Sequence, residues 1–167
     1  MLTAVRVSVE EYLSTTYRPD CDYVDGEVLE RNVGEIDHAR FQGRLNAFLS
    51  GLEQKLGIWV APELRVQVSP QRFRIPDVTV TLGKPRGRYV TDAPFLLIEI
   101  LSERDSLRTI QDRVDDYRAM GVPHIWVIDP ETATGWDASS GAPVVARDGV
   151  LRTSGPDIVV RLSELLG

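Results

Sequence analysis

Two hydrophobic periods share this chain. From about Glu35 to Leu56 the apolar positions Phe41, Leu45, Phe48, Leu49, Leu52 and Leu56 fall at i, i+4, i+7, i+8, i+11 and i+15. That is the stripe of a long amphipathic helix, and Gly57 supplies its stop. A shorter helix opens at the capping box Ser8-Val9-Glu10-Glu11 and runs to about Thr15, with Val9, Tyr12 and Leu13 on one face. A third helix carries Leu107, Ile110, Val114 and Tyr117 as its buried stripe and ends at Gly121.

Between the helices the period drops to two, or the apolar residues run on without a break. Cys21 to Val24, the dipeptide Asp25-Gly26 and Glu27 to Glu30 form a two-residue hairpin, in which Tyr23, Glu27 and Glu30 are expected at the surface. Strands are expected at Trp59–Ala61, at Leu64–Val68 and from Arg74 to Leu82, the last interrupted by Pro76. Phe95–Leu101 and His124–Ile128 are continuous apolar runs of buried-strand length, separated by the third helix. Strand, helix, strand is a right-handed crossover, so these two should lie parallel and adjacent with the helix on one face. Weaker strands near Val144-Val145, Val150-Leu151 and Ile158–Leu162 and a last helical turn at Ser163–Leu166 close the chain. The expected fold class is α/β (α+β), a mixed central β-sheet flanked by helices, with all 167 residues in one domain.

One residue breaks the pattern. Glu99 sits inside Phe95–Leu101, where every neighbour is apolar. A glutamate is almost never fully buried without a partner, because desolvating its charge costs several kcal/mol unless a cation, a metal or strong donors compensate. Asp77 lies in a second strand-like run, directly after Pro76. Two acids on neighbouring strands could share one divalent ion, or each could be structural, Glu99 in an ion pair with a buried arginine and Asp77 as a strand-end acid.

Composition narrows the classes. No run approaches the 18 apolar residues of a membrane span, and no apolar signal core follows the N-terminus, so a cytoplasmic protein with no membrane partner is expected. The single Cys21 rules out an internal disulfide and any thiolate-built metal site. The net charge of −6 is unevenly spread: Arg65 to Arg88 carries +5, through Arg65, Arg72, Arg74, Lys84, Arg86 and Arg88 against Asp77. A solvated arginine-rich hairpin accounts for this, and so do cations gathered round an acid that meets a phosphodiester with a metal. His38, in the first turns of the long helix, shares a face with Glu35 and Gln42.

The ordered set Arg74-Ile75-Pro76-Asp77-Val78, Ile98-Glu99-Ile100-Leu101-Ser102, Tyr117-Arg118-Ala119-Met120-Gly121-Val122 and Trp126-Val127-Ile128-Asp129-Pro130 resembles the Uma-two family of restriction endonucleases, in the PD-(D/E)XK nuclease superfamily. The hairpin at Asp25-Gly26-Glu27 and His38 fit the same pattern. The resemblance implies a restriction-endonuclease-like core with Asp77 and Glu99 as ligands of Mg2+, or Mn2+. Carboxylate oxygens suit such a hard cation, which keeps several waters and binds the substrate phosphate. DNA is the implied partner, and a homo-oligomer, a dimer, the expected assembly. Two departures stand out. The superfamily lysine two residues after the glutamate is Leu101 here, and the displaced lysine of this branch, four residues before the tyrosine, is Arg113. An arginine there can bind the scissile phosphate, but it cannot readily act as a base. The implied site is therefore Asp77, Glu99, Arg113 and His38, in a DNA endonuclease or in a fold kept as a nucleic-acid- or protein-binding module without turnover.

Overall fold

The computed structural model describes residues 5–166. It opens with helix α1 (Val9–Ser14), whose N-cap Ser8 accepts the Glu11 N–H at 3.1 Å. The hairpin of β1 (Asp22–Val24) and β2 (Glu27–Leu29) turns through Asp25 and Gly26, both at positive φ, 49° and 96°. The long helix is broken in two, α2 (Ile36–Ser50) and α3 (Glu53–Leu56). Gly51 stands at the break, where the low helix propensity of glycine lets the chain turn before Leu52 and Leu56 pack on the core. Gly57, in the left-handed region, then ends α3.

Strands β3 (Ile58–Pro62), β4 (Val66–Ser69), β5 (Arg72–Arg74), β6 (Val78–Leu82) and β7 (Leu96–Ile100) lead to helix α4 (Leu107–Met120). Beyond it come β8 (His124–Asp129), β9 (Thr134–Asp137), β10 (Val144–Val145), β11 (Val150–Arg152), β12 (Val159–Arg161) and the turn α5 (Leu162–Leu165). The central sheet has the order β10-β9-β8-β7-β6-β3 and is mixed: β7 and β8 are parallel, as the crossover requires, and the other pairs are antiparallel. Val78, Val80, Leu96, Ile98, Ile100 and Trp126 pack in one cluster with Phe41, Leu45 and Leu49 of α2. Leu97, Ile125 and Val127 pack in a second cluster with Ile110, Val114 and Tyr117 of α4. The sheet is thus sandwiched, as an alternating inward pattern on both faces demands.

Several sequence expectations change. The hairpin is not part of the central sheet but joins a separate four-stranded one, β2-β1-β5-β4. The run from Arg74 to Leu82 splits between the two sheets, because the buried Ile75-Pro76-Asp77 linker crosses from one to the other. Pro76 suits the crossing, since it has no N–H to leave unpaired. Tyr23, expected outside, is 1% exposed, stacked on Tyr12 and packed with Phe73, with its hydroxyl donating to the Val7 carbonyl at 2.7 Å. Leu107, expected inside, is 91% exposed, because the first residue of α4 precedes the turns that reach the sheet. Strand β9 was hidden by Gly135, which is needed where a Cβ would come within 2.9 Å of the Leu151 side chain.

Candidate active site

The linker places Asp77 at the seam between the two sheets. The antiparallel register Val78↔Ile98 carries it alongside Glu99 and Ile100, and the Ile100 N–H donates to Asp77 Oδ2 at 2.7 Å. The other oxygen, Oδ1, accepts from Arg31 Nη2 at 3.2 Å and faces His38 Nε2 at 3.3 Å. Gln42, one helical turn beyond His38, donates to the Asp77 carbonyl at 2.9 Å. The start of α2 therefore clamps Asp77 through an i, i+4 pair.

Glu99, 1% exposed, accepts from Arg113 Nη1 at 3.0 Å on Oε2 and from the Tyr117 hydroxyl on Oε1. Both donors come from one face of α4, four residues apart. Arg113 Nε turns to a third carboxylate, Asp22 Oδ2, at 3.3 Å. Asp22 opens β1 and is also 1% exposed. Its Oδ1 accepts the Ile75 N–H at 3.1 Å and its Oδ2 accepts from Arg74 Nη1 at 3.2 Å. Arg74 and Arg72 in turn grip Asp116 of α4, each at 2.7 Å. Three buried carboxylates, Asp22, Asp77 and Glu99, thus interleave with three buried guanidiniums, Arg31, Arg74 and Arg113. Each buried charge thus has at least one opposite charge beside it, where an unpaired one would leave desolvation uncompensated.

The local field follows from burial. Burial pushes the Glu99 carboxyl up to about 7, against the pull of Arg113, with the Asp77 charge adding to the rise. Burial pushes the Tyr117 hydroxyl well above its ordinary range, and the Glu99 charge adds to it. Burial would lower His38, yet its hydrogen bond to Asp77 and that carboxylate's charge outweigh it, and the imidazole is raised above 6.5. Burial also opposes the charge on Arg113, and Glu99 and Asp22 more than offset it.

All four residues singled out in the sequence, Asp77, Glu99, Arg113 and His38, meet in this cluster. The remaining cations do not surround Asp77 as a phosphate-gathering patch. Arg65 is spent on Asp20 at 2.7 Å and Arg72 on Asp25 and Asp116. Lys84, Arg86 and Arg88 are exposed in the loop that follows β6, and none of them has an ion pair with Asp77. A cleft of about 650 Å³ opens beside the cluster, lined by His38, Leu101 and Ser102 and by the acids Glu35, Asp37, Glu103, Asp129 and Glu131. The loops at its mouth are tied together: Asn32 donates to Asp105 at 3.0 Å and the Glu103 N–H to Glu35 at 3.0 Å.

Asp77 and Glu99 suit a hard divalent ion. Counting two lone pairs per oxygen, Asp77 Oδ2 and both Glu99 oxygens keep one free after the bonds above. An ion of the magnesium kind needs only one or two carboxylates, with waters and substrate phosphate completing its shell. Among the described residues no group of three or more His, Cys, Asp or Glu side chains is placed to hold a metal ion. The donor set thus fits an ion shared with substrate.

A profile of the Uma2 family, described as "Putative restriction endonuclease", matches residues 9–136. The chain belongs to the Uma2 family. Its structure is similar to the crystal structure of a "putative nuclease belonging to DUF820" from Anabaena variabilis, with a TM-score of 0.81 at 18% identity, covering 96% of this chain and 97% of that one. That likeness shows the Uma2 chain to have the same fold. A DrdV–DNA complex aligns at a TM-score of 0.42 and 16% identity, over 78% of this chain and 13% of that one. No curated protein matches. No helix among the described residues is long and apolar enough to cross a membrane.

Sequence reasoning placed Arg74 among the cations near Asp77, where the structure also puts it, but missed Asp22 and Arg31 as members of the site. The one available signal was Asp22 itself, an acid in the strand position next to Tyr23 of an otherwise ordinary hairpin.

Proposed function

We propose that this Uma2 chain is a divalent-metal-dependent endonuclease that hydrolyses DNA phosphodiester bonds. The observation that carries the reading is the convergence of Asp77, from the linker before β6, and Glu99, from the adjacent β7, on one cluster that also holds Arg113 and His38 and opens beside a cleft. Asp77 and Glu99 are the residues that would hold Mg2+ or Mn2+. When bound, the ion supplies Lewis-acid polarisation of the phosphate and a more acidic water.

The chain's own groups do the rest. Arg113 is permanently charged and fixed by Glu99 and Asp22, so it stabilises negative charge on the scissile phosphate and takes no part as a base. Tyr117 holds Glu99 in one rotamer through its hydroxyl. His38 faces Asp77 Oδ1 through Nε2 and lines the cleft, where it can hold a proton near the leaving oxygen.

A second reading has its own support. Both oxygens of Asp77 and of Glu99 already accept from protein donors, and the cleft is lined by five acids that repel a polyanion. On that reading the Uma2 fold persists as a binding module without turnover. Nicking of supercoiled plasmid with Mg2+ or Mn2+, against an EDTA control, decides between them. Metal-dependent conversion to open circles supports the nuclease; intact plasmid under both metals supports the module.

A further inference from the structure

Arg31 and Arg113 are not equivalent in the cluster. Arg113 rises from the middle of α4 and is held between Asp22 and Glu99. Arg31 comes from the loop between β2 and α2, and its guanidinium lies between three acids without a full set of bonds. Nη2 is 3.2 Å from Asp77 Oδ1, Nε is 4.0 Å from Asp22 Oδ1, and Nη1 is 3.7 Å from Glu63 Oε1. Its Nε is buried without a hydrogen-bond partner, as is Arg113 Nε, so the difference between the two lies in the longer contacts of Arg31. Arg31 also lines a cavity of about 440 Å³ with Asn32, Glu35, Glu103 and Arg104, so open space adjoins this loop residue. Glu63 is the outermost of the three acids, its side chain 48% exposed. It follows β3 with φ at 52°, a left-handed conformation that residues other than glycine rarely keep without a local reason.

We propose that Arg31 is a placeholder cation on Asp77, and that Glu63 is a positioning residue that receives Arg31 when a divalent ion takes the Asp77 carboxylate. The inference rests on the metal-binding reading above. An Arg31 left on Asp77 Oδ1 opposes an incoming dication by like charge on the same carboxylate. Moved onto Glu63, the guanidinium is paired nearer to solvent and Asp77 Oδ1 is released. Glu63 thus acts on the metal only through Arg31.

Titration of the whole chain with Mn2+ alone, read by the EPR signal of free Mn2+, tests this without any cleavage assay. Arg31→Gln is expected to tighten Mn2+ binding by at least about tenfold, since it removes a positive charge from the ligand carboxylate. Glu63→Gln is expected to weaken it about threefold in the wild-type background and to leave it unchanged in the Arg31→Gln background, the non-additivity of residues that act as a unit. Glu63 is half exposed, so the comparison of wild type with Glu63→Gln stands even if Arg31→Gln does not fold. Binding by Arg31→Gln but not by wild type also supports the proposal. Equal affinity in wild type and both single variants overturns it while leaving the metal site intact. An equal effect of Glu63→Gln in both backgrounds overturns the role of Glu63, and failure of wild type and Arg31→Gln alike to bind Mn2+ overturns both the proposal and the metal-binding reading.

Discussion

Replacing Tyr117 by phenylalanine removes one hydroxyl from the centre of the cluster and leaves the packing of the ring on α4 and the sheet in place. The lost bond is to Glu99, which is 1% exposed, so no water replaces it. A hydrogen bond to a charged group is worth about 1.5–3 kcal/mol, and one between neutral groups about 1 kcal/mol. Which value applies depends on pH. The Glu99 carboxyl is raised from 4.5 to about 7, so between those values the folded chain keeps a proton that the unfolded chain has released. The stability this contributes is complete below pH 4.5 and is lost as pH rises through 7. Above that range Glu99 is a carboxylate that needs its donors most. Tyr117→Phe is therefore expected to cost about 2–3 kcal/mol at pH 8.5 and about 1 kcal/mol at pH 5. Urea unfolding at the two pH values, followed by tryptophan fluorescence, measures both. Equal losses at the two pH values, or a loss under about 0.5 kcal/mol at pH 8.5, would refute the coupling between Tyr117 and an ionising Glu99.

Five other substitutions test the remaining parts. Arg113→Ala strands Glu99 and Asp22 without their shared guanidinium and is expected to cost about 3–5 kcal/mol in denaturant and to abolish metal-dependent nicking. Arg113→Lys keeps the charge and restores the residue implied by the family pattern, so nicking is expected to persist, with a stability loss of about 1–2 kcal/mol because one ammonium cannot reproduce the planar fork between Asp22 and Glu99. Gly135→Ala drives a Cβ into Leu151 at 2.9 Å and Leu162 at 3.1 Å, and calorimetry should show a loss of about 1–3 kcal/mol. In α4, Val114→Ala should cost about 1–3 kcal/mol and Leu107→Ala less than about 0.5 kcal/mol in urea unfolding, where shared membership in one stripe suggests similar costs.

Much of this arrangement was legible along the chain, and its gaps have physical causes. The parallel pair β7 and β8 followed from two apolar runs separated by one amphipathic helix, because handedness leaves that unit a single arrangement. Glu99 and Asp77 were visible as charges in apolar company, and α4 could be phased from Ile110, Val114 and Tyr117. What stayed hidden was anything decided by a long-range partner. Asp22 and Tyr23 lie in a hairpin whose local signal is that of a surface ribbon; only pairing with β5 and packing under α1 bury them. Arg31 belongs to a loop, where sequence gives no direction to a side chain. The basic stretch misled for the same reason, since charge counted along the chain does not show that Arg65, Arg72 and Arg74 are each answered by an aspartate from elsewhere. Two candidate ligands were legible singly, and the guanidinium lattice between them was not.

The central claim is that Asp77 makes this cluster a metal-dependent nuclease site, and the most direct measurement is plasmid nicking in Mn2+ by wild type and by Asp77→Asn under identical conditions, with circular dichroism to show both folded. The substitution keeps the size of the side chain, and the amide oxygen can still accept a hydrogen bond, while the charge that would bind the ion is gone. The account predicts nicking by wild type that stops with EDTA, and a loss of at least about a hundredfold in the folded variant, the scale expected when a group acting on the transition state is removed. Undiminished nicking by folded Asp77→Asn, or wild-type nicking that persists in EDTA, would contradict it.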